Sequence, residues 1–180
     1  MQGNDVYVAG YEWNGSKFIA KLWKNGVAQN LTDGTHFAYP KSVFVQGNDV
    51  YVVGYESNGS KDIAKLWKNG FTQNLSDCTK DAYSRSVFVQ GSDIYVAGYE
   101  GDGSRYVAKL WKNGIAQNLT DGTHNAYAFS TYVLENDVYV VGYEDNGSKY
   151  VAKLWKNGVP QNQTDGTNFA YAKSVFVHKH

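Results

Sequence analysis

With 180 residues, and 17 basic against 17 acidic side chains, the chain is long enough for one globular core and formally neutral. The signs are interspersed, which argues against nucleic acid or an anionic membrane as partner, since both select concentrated basic surface. The composition of 15 Tyr, 8 Phe, 5 Trp and 19 Gly beside 2 Pro and 1 Met favours short strands and tight turns over helices.

No basic-then-apolar leader opens the sequence, and no apolar run approaches the roughly 18 residues that span a bilayer. The expectation is a soluble chain without signal peptide or transmembrane segment, its compartment left open. Self-similarity settles the organisation. Ala-Lys-Leu-Trp-Lys-Asn-Gly recurs unchanged at Ala20–Gly26, Ala64–Gly70, Ala108–Gly114 and Ala152–Gly158, each copy 44 residues after the last. The chain is one supersecondary unit written four times, a single domain over residues 1–180.

Within a repeat, Asp5, Asp49, Asp93 and Asp137 each open Asp-(Val/Ile)-Tyr-Val-(Ala/Val)-Gly-Tyr-Glu, a strand, B, apolar on both faces and so covered on both sides. A turn such as Asn14-Gly15 leads to strand C, Phe18 to about Trp23, and Asn25-Gly26 makes a second hairpin. Strand D, Val27–Thr32, is polar and variable, as an edge strand is. A crossover, Thr32–Lys41, ends in strand A, Ser42–Val45, repeated at Ser86–Val89, Ser130–Val133 and Ser174–Val177.

Four-stranded antiparallel units of this length, greasy on both faces and repeated, resemble β-propeller blades of the NHL, kelch and WD40 kinds. The resemblance covers the whole chain but is architectural. The Trp-Asp dipeptide of WD40 and the double glycine of kelch are missing, so no subfamily function is implied. The near-identical copies are also similar to highly symmetric bacterial propeller arrays. The expected fold is therefore all-β, a β-propeller of four-stranded antiparallel blades, with N-terminal strands B-C-D and C-terminal strand A completing one blade. One chain closes as four blades, or two chains close as eight. Short loops and modest inner strands favour the homodimer with eight blades, since four blades must meet at about a right angle.

In such a ring the B–C and D–A loops share one face around the channel, where propellers usually bind ligands. Candidate contacts there are Tyr11, Glu12 and Trp13, then Tyr55 and Glu56, Tyr99 and Glu100, Tyr143 and Glu144, with His36 and His124 in the crossovers. Aromatic rings stack on the apolar face of a sugar while carboxylates accept its hydroxyl protons; the competing reading packs the tyrosines between blades. Asp33 and its copies read as turn residues bonding their own backbone. Lys41, Arg85, Phe129 and Lys173 lie at the entrance to strand A, where cations favour an anionic guest or stand solvated. Trp23, Trp67, Trp111 and Trp155 read as inter-blade packing.

The single Cys78 excludes an intrachain disulfide and a cysteine-based zinc site, and stands where other copies carry Gly34, Gly122 and Gly166. No nucleophile elbow, phosphate-cradling loop or His-Glu-x-x-His occurs, so no enzyme, cofactor or metal is expected. His178-Lys179-His180 reads as a frayed end rather than a chelator. The functional expectation is a non-catalytic binding module with glycan as ligand class. The alternative is a structural or protein-interaction scaffold without a small-molecule site.

Overall fold

The computed structural model describes residues 4–101 and 103–179; Asp102 of the third B–C loop and His180 of the terminal pair lie outside the described residues, as do residues 1–3. The described residues hold 15 strands and no helix. In the first repeat, β1 (Tyr7–Trp13), β2 (Phe18–Lys24) and β3 (Val27–Asn30) form a three-stranded sheet. The second sheet is β4 (Ala38–Gln46), β5 (Asp49–Ser57), β6 (Asp62–Lys68) and β7 (Phe71–Asn74). The third is β8 (Ala82–Gln90), β9 (Asp93–Gly101), β10 (Tyr106–Lys112) and β11 (Ile115–Asn118). The fourth is β12 (Ala126–Leu134), β13 (Asp137–Asp145), β14 (Tyr150–Lys156) and β15 (Val159–Asn162). Every pairing is antiparallel between sequence neighbours. These are four blades of a β-propeller.

The turns follow from their residues. Asn25 and Gly26 both have positive φ, 51° and 82°, as a type I′ hairpin demands, and the other three copies do the same. The Asp that opens each second strand holds this hairpin in place. Asn25, Asn69, Asn113 and Asn157 donate from Nδ2 to Asp5, Asp49, Asp93 and Asp137 at 2.7–2.9 Å, and the preceding lysine closes an ion pair on the same carboxylate. Those bonds explain why the Asp, the Lys and the Asn are invariant between copies.

The core lies between blades. Ala20 and Leu22 of the first blade pack with Ala38, Val52 and Trp67 of the second. Trp111 packs back on the second blade through Val53 and Leu66, and Trp155 on the third through Ala97 and Leu110. Each conserved tryptophan thus covers the blade before it, and Trp23, with no blade before it, is half-buried. The outer strands β3, β7, β11 and β15 are exposed throughout, as expected of edges.

Two expectations need correction. The inner strand starts at Ala38, not Ser42, and runs across Pro40 through a β-bulge between Pro40 and Ser42; equivalent bulges fall between Ser84 and Ser86 and between Ala128 and Ser130. The extra residue breaks the two-residue alternation that marks a strand in sequence, so the first half of this strand reads as loop. The second concerns Ser174–Val177 as the closing strand of their own chain. Residues 169–179 pair with no strand, and among the described residues no fourth strand joins β1–β3. They dock instead on the fourth blade, in the place an inner strand takes in a following blade. The Val175 N–H donates to Ser130 Oγ at 3.3 Å, as Val87 does to Ser42 and Thr131 to Ser86.

Candidate functional site

Tyr and Glu at the end of each second strand are neighbours in sequence and therefore point to opposite faces of the sheet. The structure separates them accordingly. The tyrosines join those of the inner strands in one arc, Tyr11–Tyr39–Tyr55–Tyr83–Tyr99–Tyr127–Tyr143–Tyr171, with successive ring centroids 4.9–5.2 Å apart. Tyr99 is buried at 7% exposure, whereas Tyr11 at the open end is 47% exposed. Burial pushes the hydroxyls of Tyr39, Tyr55, Tyr83, Tyr127 and Tyr143 up from their ordinary pKa. This arc is packing between blades, the competing reading of those residues.

The glutamates face the preceding blade and pair with the lysine of the neighbouring strand. Glu56–Lys65, Glu100–Lys109 and Glu144–Lys153 stand at 3.1, 2.6 and 2.9 Å, and Glu12 pairs with Lys21. Because Gly54 pairs with Lys65, the lysine sits diagonally across from Glu56 on one face. That partner requires strand register and was not legible in the sequence.

Here the structure brings His36 and Glu56 together. An open cleft of about 390 Å³ between the first and second blades is lined by His36, Glu56, Asn58 and Lys65, with Asp33 and Thr72 at its margin. The cleft between the third and fourth blades, about 240 Å³, is lined by His124, Glu144, Asn146 and Lys153. The two are the same constellation two repeats apart. Between the second and third blades Lys80 replaces the histidine, in a cleft of about 440 Å³ where Lys61 bonds Asp81 at 3.1 Å. All three unite the crossover of one blade with the second-strand turn of the next, which confirms that these loops share a face.

Asn14, Asn58 and Asn146 shape that turn, each accepting the backbone N–H groups two and three residues on through Oδ1. Asp33, Asp77, Asp121 and Asp165 each accept the N–H and the hydroxyl of the threonine two residues on, at 2.7–3.0 Å, and these bonds hold the carboxylates below their ordinary pKa. They are turn residues, as their sequence suggests. Trp13 is 50% exposed and rests edge-on against Phe18 at 5.1 Å. Among the described residues no three His, Cys, Asp or Glu side chains converge as a metal site.

The bulge residues Lys41, Arg85 and Phe129, with Lys173 at the matching point of the unpaired C-terminal segment, form a separate group. Lys41 lies over Tyr55 at 5.4 Å, and Arg85 over the same ring at 5.8 Å and over Tyr99 at 5.1 Å. Arg85 and Lys173 share Phe129, at 5.9 and 3.7 Å. Burial, and then the charge of Arg85, push both lysines down from their ordinary pKa.

No known protein family and no curated protein matches the chain. Among solved structures it is similar to the computationally designed Ika8 protein, at 16% identity and a TM-score of 0.47, covering 94% of this chain and 52% of that one. It is similar also to the computationally designed Ika4 protein, at 20% identity and a TM-score of 0.43, covering 86% of each. The chain thus spans about half the length of Ika8.

Proposed function

We propose that the chain is a non-catalytic binding module whose sites are the open clefts between blades, with carbohydrate as the ligand class. The observation that carries this reading is the recurrence of His36, Glu56, Asn58 and Lys65 as His124, Glu144, Asn146 and Lys153. Each set offers an imidazole, a carboxylate, an amide and an ammonium around one opening, donors and acceptors suited to sugar hydroxyls. Equivalent weak sites on one particle gain affinity through multivalency, which rewards keeping the copies alike. Glycosidic hydrolysis is disfavoured because it needs two carboxyl groups in different environments, and Glu56 and Glu144 sit in separate but equivalent ion pairs, with Lys65 and Lys153. Titration calorimetry with mono- and disaccharides tests the reading. Saturable binding that disappears in His36→Ala/His124→Ala supports it; no heat at millimolar sugar favours the scaffold alternative.

We also propose that a second copy of this 180-residue chain completes the ring. Val8 on the open edge is 52% exposed, whereas Val52, Val96 and Val140 at the same position are each 1% exposed. Residues 169–179 of a second copy supply the missing strand, and two such exchanges give eight blades, within the range propellers adopt. Light scattering on the eluting peak decides the matter: twice the 20.0 kDa chain mass supports the dimer, and a single mass overturns it.

A further inference from the structure

The inner strands β4 and β8 bond to one another through Ser42, and β8 to β12 through Ser86, so these strands lie side by side at the hub. Arg85 on the middle one reaches Tyr55 of the blade before and Phe129 of the blade after. A bulge residue opposes no residue of its own in the ladder and its side chain is free to turn away from the sheet. Two of the three bulges carry cations, Lys41 and Arg85, and Lys173 stands at the matching point of the unpaired C-terminal segment; their rings in common, Tyr55 and Phe129, hold the three in one neighbourhood.

These cations are treated unlike the other strand lysines. On the blade faces, Lys21, Lys65, Lys109 and Lys153 each have a glutamate, and Lys24, Lys68, Lys112 and Lys156 each have an aspartate. No ion pair among the described residues includes Lys41, Arg85 or Lys173. Arg85 donates one guanidinium nitrogen to the Tyr99 hydroxyl, and its Nε is buried with no hydrogen-bond partner. Like charges gathered on aromatic faces, with a buried donor unused, are a cost in the unliganded protein that a bound anion removes.

We propose that Lys41, Arg85 and Lys173 form an oxyanion-binding site at the hub, taking the phosphate or sulfate group of a small ligand. The guanidinium offers a planar fork and the two ammonium groups approach from either side, an arrangement suited to a tetrahedral anion. The rings around the cations give the body that carries the anion apolar surface to rest against. This site lies apart from the clefts between blades and does not depend on the reading given to them.

The repeat supplies its own test variant. Phe129 occupies the third bulge, and β12 keeps the same register around it, so phenylalanine is compatible with the fold there. Lys41→Phe, Lys173→Phe and the double variant are titrated with sulfate, phosphate, glucose 6-phosphate and glucose, ionic strength being held constant with chloride. The parent chain binds the two oxyanions saturably in the millimolar range, and each substitution weakens binding about tenfold. Lys68→Gln, which removes a cation paired with Asp49 on the rim, binds as the parent does. Tighter binding of glucose 6-phosphate than of phosphate identifies a sugar-borne group as the ligand; equal binding identifies the free oxyanion. Lys41→Gln and Lys173→Gln give the same loss without adding apolar surface. No saturable binding beyond chloride, or parent-like binding by the double variant, overturns the proposal.

Discussion

Asn69 donates from Nδ2 to Asp49 Oδ1 at 2.8 Å, tying the hairpin of one strand pair to the start of the strand behind it. Its own Oδ1 accepts the Val50 N–H at 2.9 Å, so one side chain satisfies both neighbours of that corner. Its φ is +51°, a conformation that Asn tolerates better than other residues with a Cβ except Asp.

Asn69→Ala therefore loses two hydrogen bonds and adds backbone strain, about 1–2 kcal/mol together. Asn69→Gly loses the bonds while relieving the strain, and falls between parent and alanine variant. Urea denaturation of the three proteins checks the order; an alanine variant as stable as the parent contradicts it.

Cys78 has a φ of +68° in the turn where the other copies place glycine. Cys78→Gly stabilises the protein by about 1 kcal/mol by removing that strain, despite the greater freedom of glycine in the unfolded chain. Its weak contacts, to Asn74 at 3.4 Å and the Ser76 carbonyl at 3.8 Å, offset little of the gain. The measurement is the shift in denaturation midpoint.

Gly142 lies where the inner strand crosses, and a Cβ there collides with the Tyr127 carbonyl oxygen. Gly10 is the same position on the open edge, where a Cβ meets the Trp23 ring at 3.1 Å and no backbone. Gly142→Ala costs about 3 kcal/mol or more, because two strands must part. Gly10→Ala costs well below that in the isolated chain but prevents a further strand from docking on β1. Thermal melts and light scattering on the two variants separate these effects.

The pH dependence has two limbs. Asp5, Asp49, Asp93 and Asp137, held by lysine and asparagine donors, have pKa values below the ordinary 3.8 in the folded state. Their contribution is intact above that value and is lost as pH falls through the folded pKa. The arc tyrosines have folded pKa values above the ordinary 10.0, so stability is intact below pH 10.0 and declines as pH rises past it. In absorbance titration Tyr39, Tyr55, Tyr83, Tyr127 and Tyr143 resist ionisation until the protein unfolds. Their ionisation at pH 10.0 with the fold intact would contradict the burial described.

The repeat, the two Asn-Gly hairpins and the second, third and outer strands were legible because each signal is local: a turn dipeptide, an apolar run, a polar edge. The inter-blade role of Trp67, Trp111 and Trp155 was legible too, since a large ring kept in every copy of a doubly covered sheet must fill space between sheets. What escaped was non-local. Pro40 and the bulge at Lys41 hid half of the inner strand, and with it Tyr39, the ring on which Tyr11 and Tyr55 rest. The pairing of Glu56 with Lys65 depends on a diagonal across two strands that sequence spacing does not reveal. Reading Tyr55 and Glu56 as one contact group overlooked that adjacent strand residues point apart.

The bulge has a bearing on how such a protein diversifies. Lysine, arginine, phenylalanine and lysine occupy that point in successive copies, while Ala-Lys-Leu-Trp never varies. A residue outside the ladder can be exchanged without disturbing a single strand pairing, so selection can rewrite the centre of the molecule one blade at a time. The scaffold stays monotonous while its axis acquires a different lining, and duplication of a stable blade becomes a route to asymmetry where a ligand would meet it.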